Sequence, residues 1–84
     1  MTESLFDQSE FRSRLIDLPP SAKLVAKVLD AEAPLDQAEL AEETLLPNRT
    51  VRSALKQLHE VNLISAHVKI RDARKQIYKL RPPR

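Results

Sequence analysis

Apolar residues recur at helical spacing through most of the chain and at alternate positions near its end. Phe11, Leu15 and Ile16 fall at i, i+4 and i+5, which predicts a first helix of about ten residues, capped by Asp7 and stopped by Pro19-Pro20. Ser21 is placed to cap a second helix in which Leu24, Val25, Val28 and Leu29 form the apolar stripe, Lys23, Lys27 and Asp30 face water, and Pro34 ends the run. Leu35 reads as a short bridge. Asp36 followed three positions later by Glu39 has the spacing of a capping box and predicts a third helix, with Leu40, Ala41 and Leu45 on its buried side. Pro47 suits the first turn of a fourth helix, where its missing N–H had no partner, and that helix should run to about Val61.

From Leu63 the period drops to two. Ile64, Ala66, Val68 and Ile70 alternate with Ser65, His67 and Lys69, the pattern of a half-buried strand. Gln76 to Leu80 predicts a second short strand with Tyr78 and Leu80 pointing inward. Arg71, Asp72, Ala73, Arg74 and Lys75 between them form a hairpin tip, in which Asp72 is the residue best suited to an unusual backbone angle. The expected organisation is an N-terminal helix over 1–18, a domain over 19–80 and a flexible tail over 81–84. The fold class is mainly α with a small β-hairpin (α+β): three to four helices followed by a two-stranded wing, the order of a winged helix-turn-helix.

Composition narrows the function. A chain of 84 residues allows one core, and with no cysteine it has no disulfide framework, thiolate metal site or cysteine nucleophile. With no glycine there is no Gly-rich phosphate loop. No apolar run approaches the roughly 20 residues that cross a bilayer, and Met1-Thr2-Glu3-Ser4 lacks the features of a signal peptide, so no membrane partner and a cytoplasmic location are expected. The net charge of +2 conceals a dipole: residues 1–46 carry four Lys/Arg against ten Asp/Glu, net −6, and residues 47–84 carry ten against two, net +8. Such asymmetry points to a polyanion partner, of which nucleic acid is the commonest.

The fourth helix carries both signals. At about 100° per residue, Val51, Ala54, Leu55, Leu58 and Asn62 share one side, and Arg49, Arg52, Ser53 and Lys56 share the opposite one. Such a helix can seat in a core and present its polar face to a major groove, with Arg49 and Arg52 suited to guanine edges and Lys56 to a phosphate. Asn48 and Thr50 at its start lie near the groove floor or the phosphates. Lys69, Arg71, Arg74 and Lys75 give the wing cations for the backbone or the minor groove. The candidate DNA-binding set is therefore Asn48, Arg49, Thr50, Arg52, Ser53, Lys56, Lys69, Arg71, Arg74 and Lys75.

The run from Leu35 to Thr44, followed by Leu46-Pro47-Asn48-Arg49-Thr50-Val51-Arg52-Ser53-Ala54-Leu55-Lys56-Gln57-Leu58, resembles the helix-turn-helix of MarR-like and TrmB-like winged-helix regulators, especially short archaeal ones. Arg71-Asp72-Ala73-Arg74 resembles the Asp-x-Arg wing of the MarR group, which implies that Asp72 steadies Arg74 for entry into the minor groove. The similarity covers about residues 20–80. Leu45 and Leu46 depart from the Gly and Ser or Thr usual before that proline, so the turn is more apolar and lacks a side-chain cap. The long flanking helices that build the MarR dimer are not in this sequence.

The resemblance implies a sequence-specific transcriptional regulator of double-stranded DNA. Two alternatives stay open: a nucleoid or architectural protein coating DNA with little sequence preference, and a winged-helix adaptor for protein contact. Enzyme chemistry finds no support, since His59 and His67 lie on different elements with no nearby pair of acids to complete a metal-ligand spacing, and Glu42-Glu43 point apart on a helix. No catalytic residue, metal, cofactor or small-molecule substrate is expected. Leu5 and Phe6 either close the end of the core or pair two N-terminal helices into a homodimer.

Overall fold

The computed structural model describes residues 5–82. A 3-10 turn, Leu5–Asp7, leads into α1 (Ser9–Leu15), followed by α2 (Pro20–Glu32), β1 (Leu35–Asp36), α3 (Gln37–Thr44), α4 (Asn48–Glu60), β2 (Ile64–Lys69) and β3 (Asp72–Leu80). The mainly α architecture with a β wing is as the sequence implies. The sheet is larger than a hairpin: its antiparallel order is β1-β3-β2, with Leu35 opposite Tyr78 and Asp36 opposite Ile77. Part of the tail, with Met1 to Ser4 at the other end, lies outside the described residues.

Helix starts differ from expectation at three places. α1 begins after Gln8 rather than Asp7 and has no side-chain cap; α2 begins at Pro20, with Pro19 rather than Ser21 at its N-cap; and Pro47 is the N-cap of α4 rather than its first residue. Proline serves at the starts of α2 and α4 because its fixed φ suits the chain entering a helix and its missing N–H leaves no donor to satisfy. α3 keeps its capping box, with Asp36 accepting from the Glu39 amide and Glu39 accepting from the Asp36 amide.

The core gathers Phe11 and Leu15 of α1, Ala22, Val25, Ala26 and Leu29 of α2, Leu40 of α3, Val51, Ala54, Leu55 and Leu58 of α4, and Leu35, Leu63 and Ile64 around the sheet. Alanines at 22, 26 and 54 have no side-chain bulk to hold α2 and α4 apart, and these two helices pack together. Arg14 bonds the Val61 carbonyl at 3.0 Å, placing a cation at the C-terminal end of α4 where the helix dipole favours it. Leu5 and Phe6 are half-buried against this core, with the Phe6 ring 5.3 Å from that of Phe11 and Lys27 Nζ 5.1 Å above it. Within one chain these residues pack against the end of the core.

Several apolar positions expected inside are outside. Ile16 follows the last residue of α1 and is 67% exposed, and Leu24 stands at the edge of the α2 stripe, where Ala22 and Ala26 are buried in its stead. Asn62 leaves the packing arc because α4 has already ended; it adopts φ 60 in the turn to β2. Leu45 is 90% exposed and takes the left-handed C-cap of α3 at φ 61, ψ 21. Helix termini commonly need a left-handed residue there, and a chain without glycine must place a side chain in it, at a cost of roughly 1–2 kcal/mol. The buried Thr44 hydroxyl organises the same turn by donating to the Leu40 carbonyl and accepting from the Leu46 amide. Leu45→Gly should therefore raise stability by about 0.5–1 kcal/mol, since strain is relieved and little burial is lost. A fall in the urea midpoint would show instead that the Leu45 side chain packs usefully.

The wing also departs from the expected pattern. β3 begins at Asp72, and the turn is only Ile70 and Arg71. Val68 pairs with Gln76 and Lys69 with Asp72, so Ala73, Arg74 and Lys75 form a bulge in β3. Asp72 keeps an ordinary φ. Ala66 is exposed, Val68 is 58% exposed and Ile70 wholly so, because β2 leaves the body of the domain after Ile64.

Candidate nucleic-acid interface

The amphipathic α4 positions one side of the candidate surface. Val51, Ala54, Leu55 and Leu58 anchor its rear face, while Asn48, Arg49, Arg52, Ser53 and Lys56 are exposed and Thr50 is half-buried. Thr50 and Val51 donate to the Pro47 carbonyl at the helix start, and helix geometry leaves the amides before them without a partner inside the helix. Gln37, the first residue of α3, bonds the Asn48 carbonyl at 3.4 Å and ties the starts of α3 and α4.

The wing supplies the other side. Asp72 Oδ1 accepts from both the Arg74 amide at 3.1 Å and Arg74 Nε at 3.3 Å, so a short side chain steadies a guanidinium that is 93% exposed. The Asp72–Arg74 contact is thus present as the resemblance implies. Arg71 is exposed at the turn and Lys75 on the bulge.

Two open troughs join these elements. One, of about 430 Å³, runs from Asn48 and Gln37 to Arg74, Lys75, Gln76 and Tyr78. The other, of about 400 Å³, lies between Arg52, Lys56 and His59 of α4 and Ala66, Gln76 and Tyr78 of the sheet. Gln37, Gln76 and Tyr78 border both, making a floor on which Tyr78 Oη donates to Gln76 Oε1 at 3.2 Å. Of the sequence-derived candidates, Asn48, Arg52, Lys56, Arg74 and Lys75 converge here, while Arg49 and Ser53 continue the exposed face of α4. The floor residues were not legible beforehand; the only signal was the alternation of Gln76 and Tyr78 on one strand.

Lys69 differs from the other candidates. Its Nζ lies 3.6 Å from Asp36 Oδ2, at the border between wing and α3. The Glu39 backbone amide chiefly holds the Asp36 carboxyl below its ordinary 3.8, with help from the charges of Lys69 and Lys75 and against the opposing effect of burial. On a separate flank, a hydrogen bond and repulsion from Glu32 push the Glu43 carboxyl up. Among the described residues no group of three His, Cys, Asp or Glu side chains is arranged to hold a metal ion, and no helix is long and apolar enough to cross a membrane.

No protein-family model matches the chain, and no curated protein matches it in sequence. Solved structures do match. The S. aureus MepR–DNA complex is similar at 23% identity and TM-score 0.73 over 82% of this chain and 59% of that one. A probable transcriptional regulator from Pseudomonas aeruginosa is similar at 21% identity and TM-score 0.75, over 93% of this chain and 70% of that one. MarR family transcription regulator SP03579 is similar at 17% identity and TM-score 0.76, over 84% of this chain and 48% of that one. The chain has the winged helix-turn-helix fold of MarR-family transcription regulators. It spans about half the length of several of them, MepR included.

Proposed function

We propose that the chain is a sequence-specific regulator that binds double-stranded DNA, with α4 in the major groove and the wing on the backbone and minor groove. The observation that carries this reading is that Arg52 and Lys56 of α4 line one trough and Arg74 and Lys75 of the wing line the other, the two troughs sharing a border of Gln37, Gln76 and Tyr78. A DNA complex of a similarly folded protein, MepR, supports it. Arg49 and Arg52 read base edges, Asn48, Thr50 and Ser53 contact bases or phosphates near the helix start, and Lys56, Arg71 and Lys75 neutralise phosphates. Arg74, steadied by Asp72, enters the minor groove. Such a protein works in the cytoplasm on the nucleoid and needs no cofactor.

Anisotropy titrations of a labelled duplex over a range of salt test the reading. Four cations, Lys56, Arg71, Arg74 and Lys75, should give a slope of log affinity against log salt of roughly −3.6. A slope near zero would overturn DNA binding. Competition between random duplex and fragments selected from a random pool then separates a sequence-specific regulator from a protein that coats DNA.

A further inference from the structure

Asp36 is the acid among the residues bordering the trough between α3, α4 and the wing, and it is held there rigidly. Its Oδ1 accepts from the Glu39 amide at 2.8 Å, its own amide donates to Glu39 Oε1 at 2.9 Å, and its backbone pairs with Ile77 through β1. The residue is 6% exposed, and its remaining oxygen, Oδ2, faces Lys69. Lys69 ends β2 beside the bulge that carries Arg74 and Lys75, so it belongs by position to the wing's cationic group. The Arg74 side chain is 93% exposed and the Lys69 side chain only 41%, because Lys69 reaches back to the α3 cap rather than out to solvent.

We propose that Asp36 is a positioning residue that keeps Lys69 out of the phosphate-contacting set and so sets an upper limit on backbone affinity. The proposal rests on the DNA-binding reading above. A phosphate contact adds affinity for every sequence equally, and each one steepens the salt dependence by about 0.9. Restraining one lysine therefore weakens binding to all duplexes while leaving base reading by α4 unchanged. The pairing requires no new fold element, since the carboxylate that caps α3 also receives the ammonium.

The test is a cycle of D36N, K69M and the double variant, read by anisotropy on a random duplex and on a selected site. Asparagine caps helices about as well as aspartate, so D36N keeps the acceptor for the Glu39 amide while losing the charge that holds Lys69. D36N should bind random duplex roughly three- to tenfold more tightly near 0.1 M salt, with a slope steeper by about 0.9. The selected-to-random ratio should stay within about twofold, because phosphate contacts carry no sequence information. K69M should leave the slope unchanged, and the double variant should return to the wild-type slope. A simple loss of structure would lower affinity, so the predicted gain separates positioning from scaffolding.

The proposal is overturned if D36N binds no more tightly than wild type, or if K69M alone makes the slope shallower by about one, since Lys69 would then already meet a phosphate. It is also overturned if the D36N gain persists in full without Lys69, which would make the carboxylate a bulk charge only. Should circular dichroism show D36N unfolded, K69M decides alone by the same criterion. A wild-type slope near zero is a different failure: it removes the DNA-binding reading, and this proposal with it.

Discussion

Phe11→Ala is expected to cost about 3–5 kcal/mol in unfolding free energy, the usual penalty for emptying a buried aromatic site. Phe11 is wholly buried, stacks at a tilt on Phe6 and belongs to the same cluster as Val25, Leu40 and Leu58. A domain of 84 residues has of the order of 4–13 kcal/mol to lose, so the variant sits at or beyond the edge of unfolding. Urea denaturation followed by circular dichroism measures the change. The same experiment decides whether the N-terminal helix is an appendage or an integral wall. A loss below about 1 kcal/mol would mean that residues 19–80 fold without it. Ile16→Ala is the matched control, expected to fall within about 0.5 kcal/mol because the side chain is mostly in water.

Arg49→Ala and Arg52→Ala should each cost about 1–3 kcal/mol on a selected site, equivalent to about 5- to 160-fold in affinity, and relax preference at one base pair. Binding to random duplex should change far less. Lys56→Ala should weaken all sequences alike and reduce the salt slope by about 0.9. The fold survives these changes because the three side chains are exposed on the face of α4 opposite Val51, Leu55 and Leu58. Affinities of each variant for the selected and random duplexes, measured at one fixed salt concentration, provide the check. Equal losses on both would mean that α4 touches only the backbone, and the DNA-coating reading would then replace the regulator.

The features that proved legible in the sequence are those set by neighbours a few residues away. The capping box of Asp36 and Glu39 and the two faces of α4 follow from spacing alone, and the structure has both. Leu45 reads as buried because an apolar residue at helical spacing looks so whether the helix continues or ends, and no glycine marks the left-handed position. The early start of β3 was hidden because Asp72 to Lys75 are mostly charged, yet a ribbon projecting into water is held by backbone pairing and needs no buried face. The pairing of Leu35 and Asp36 with β3, and the approach of Lys69 to Asp36, depend on sheet register between distant segments. The floor of the troughs is hidden for the same reason: Gln37 of α3 and Gln76 of β3 come to border the same troughs only when the sheet is assembled.

The sheet order has a mechanical consequence. Strand β3 is flanked on both sides only at Ile77 and Tyr78, where β1 and β2 meet it; outward from there the wing is a two-stranded ribbon. Val68 and Ile70 on that ribbon are mostly in water, so the ladder, the Asp72–Arg74 contact and the reach of Lys69 to Asp36 are what hold its shape. A two-stranded ribbon alone is marginal in water, so the wing behaves as a cantilever clamped at the sheet, stiff at its root and soft at its end. If Arg74 seats in a groove as proposed, binding includes the entropy of stilling the tip, on the order of 1–2 kcal/mol for each residue brought to rest. The clamp lies beside the N-terminal cap of α3, and β2 runs back through the buried Ile64 and Leu63 to the end of α4, so a load on the tip reaches both helices of the helix-turn-helix.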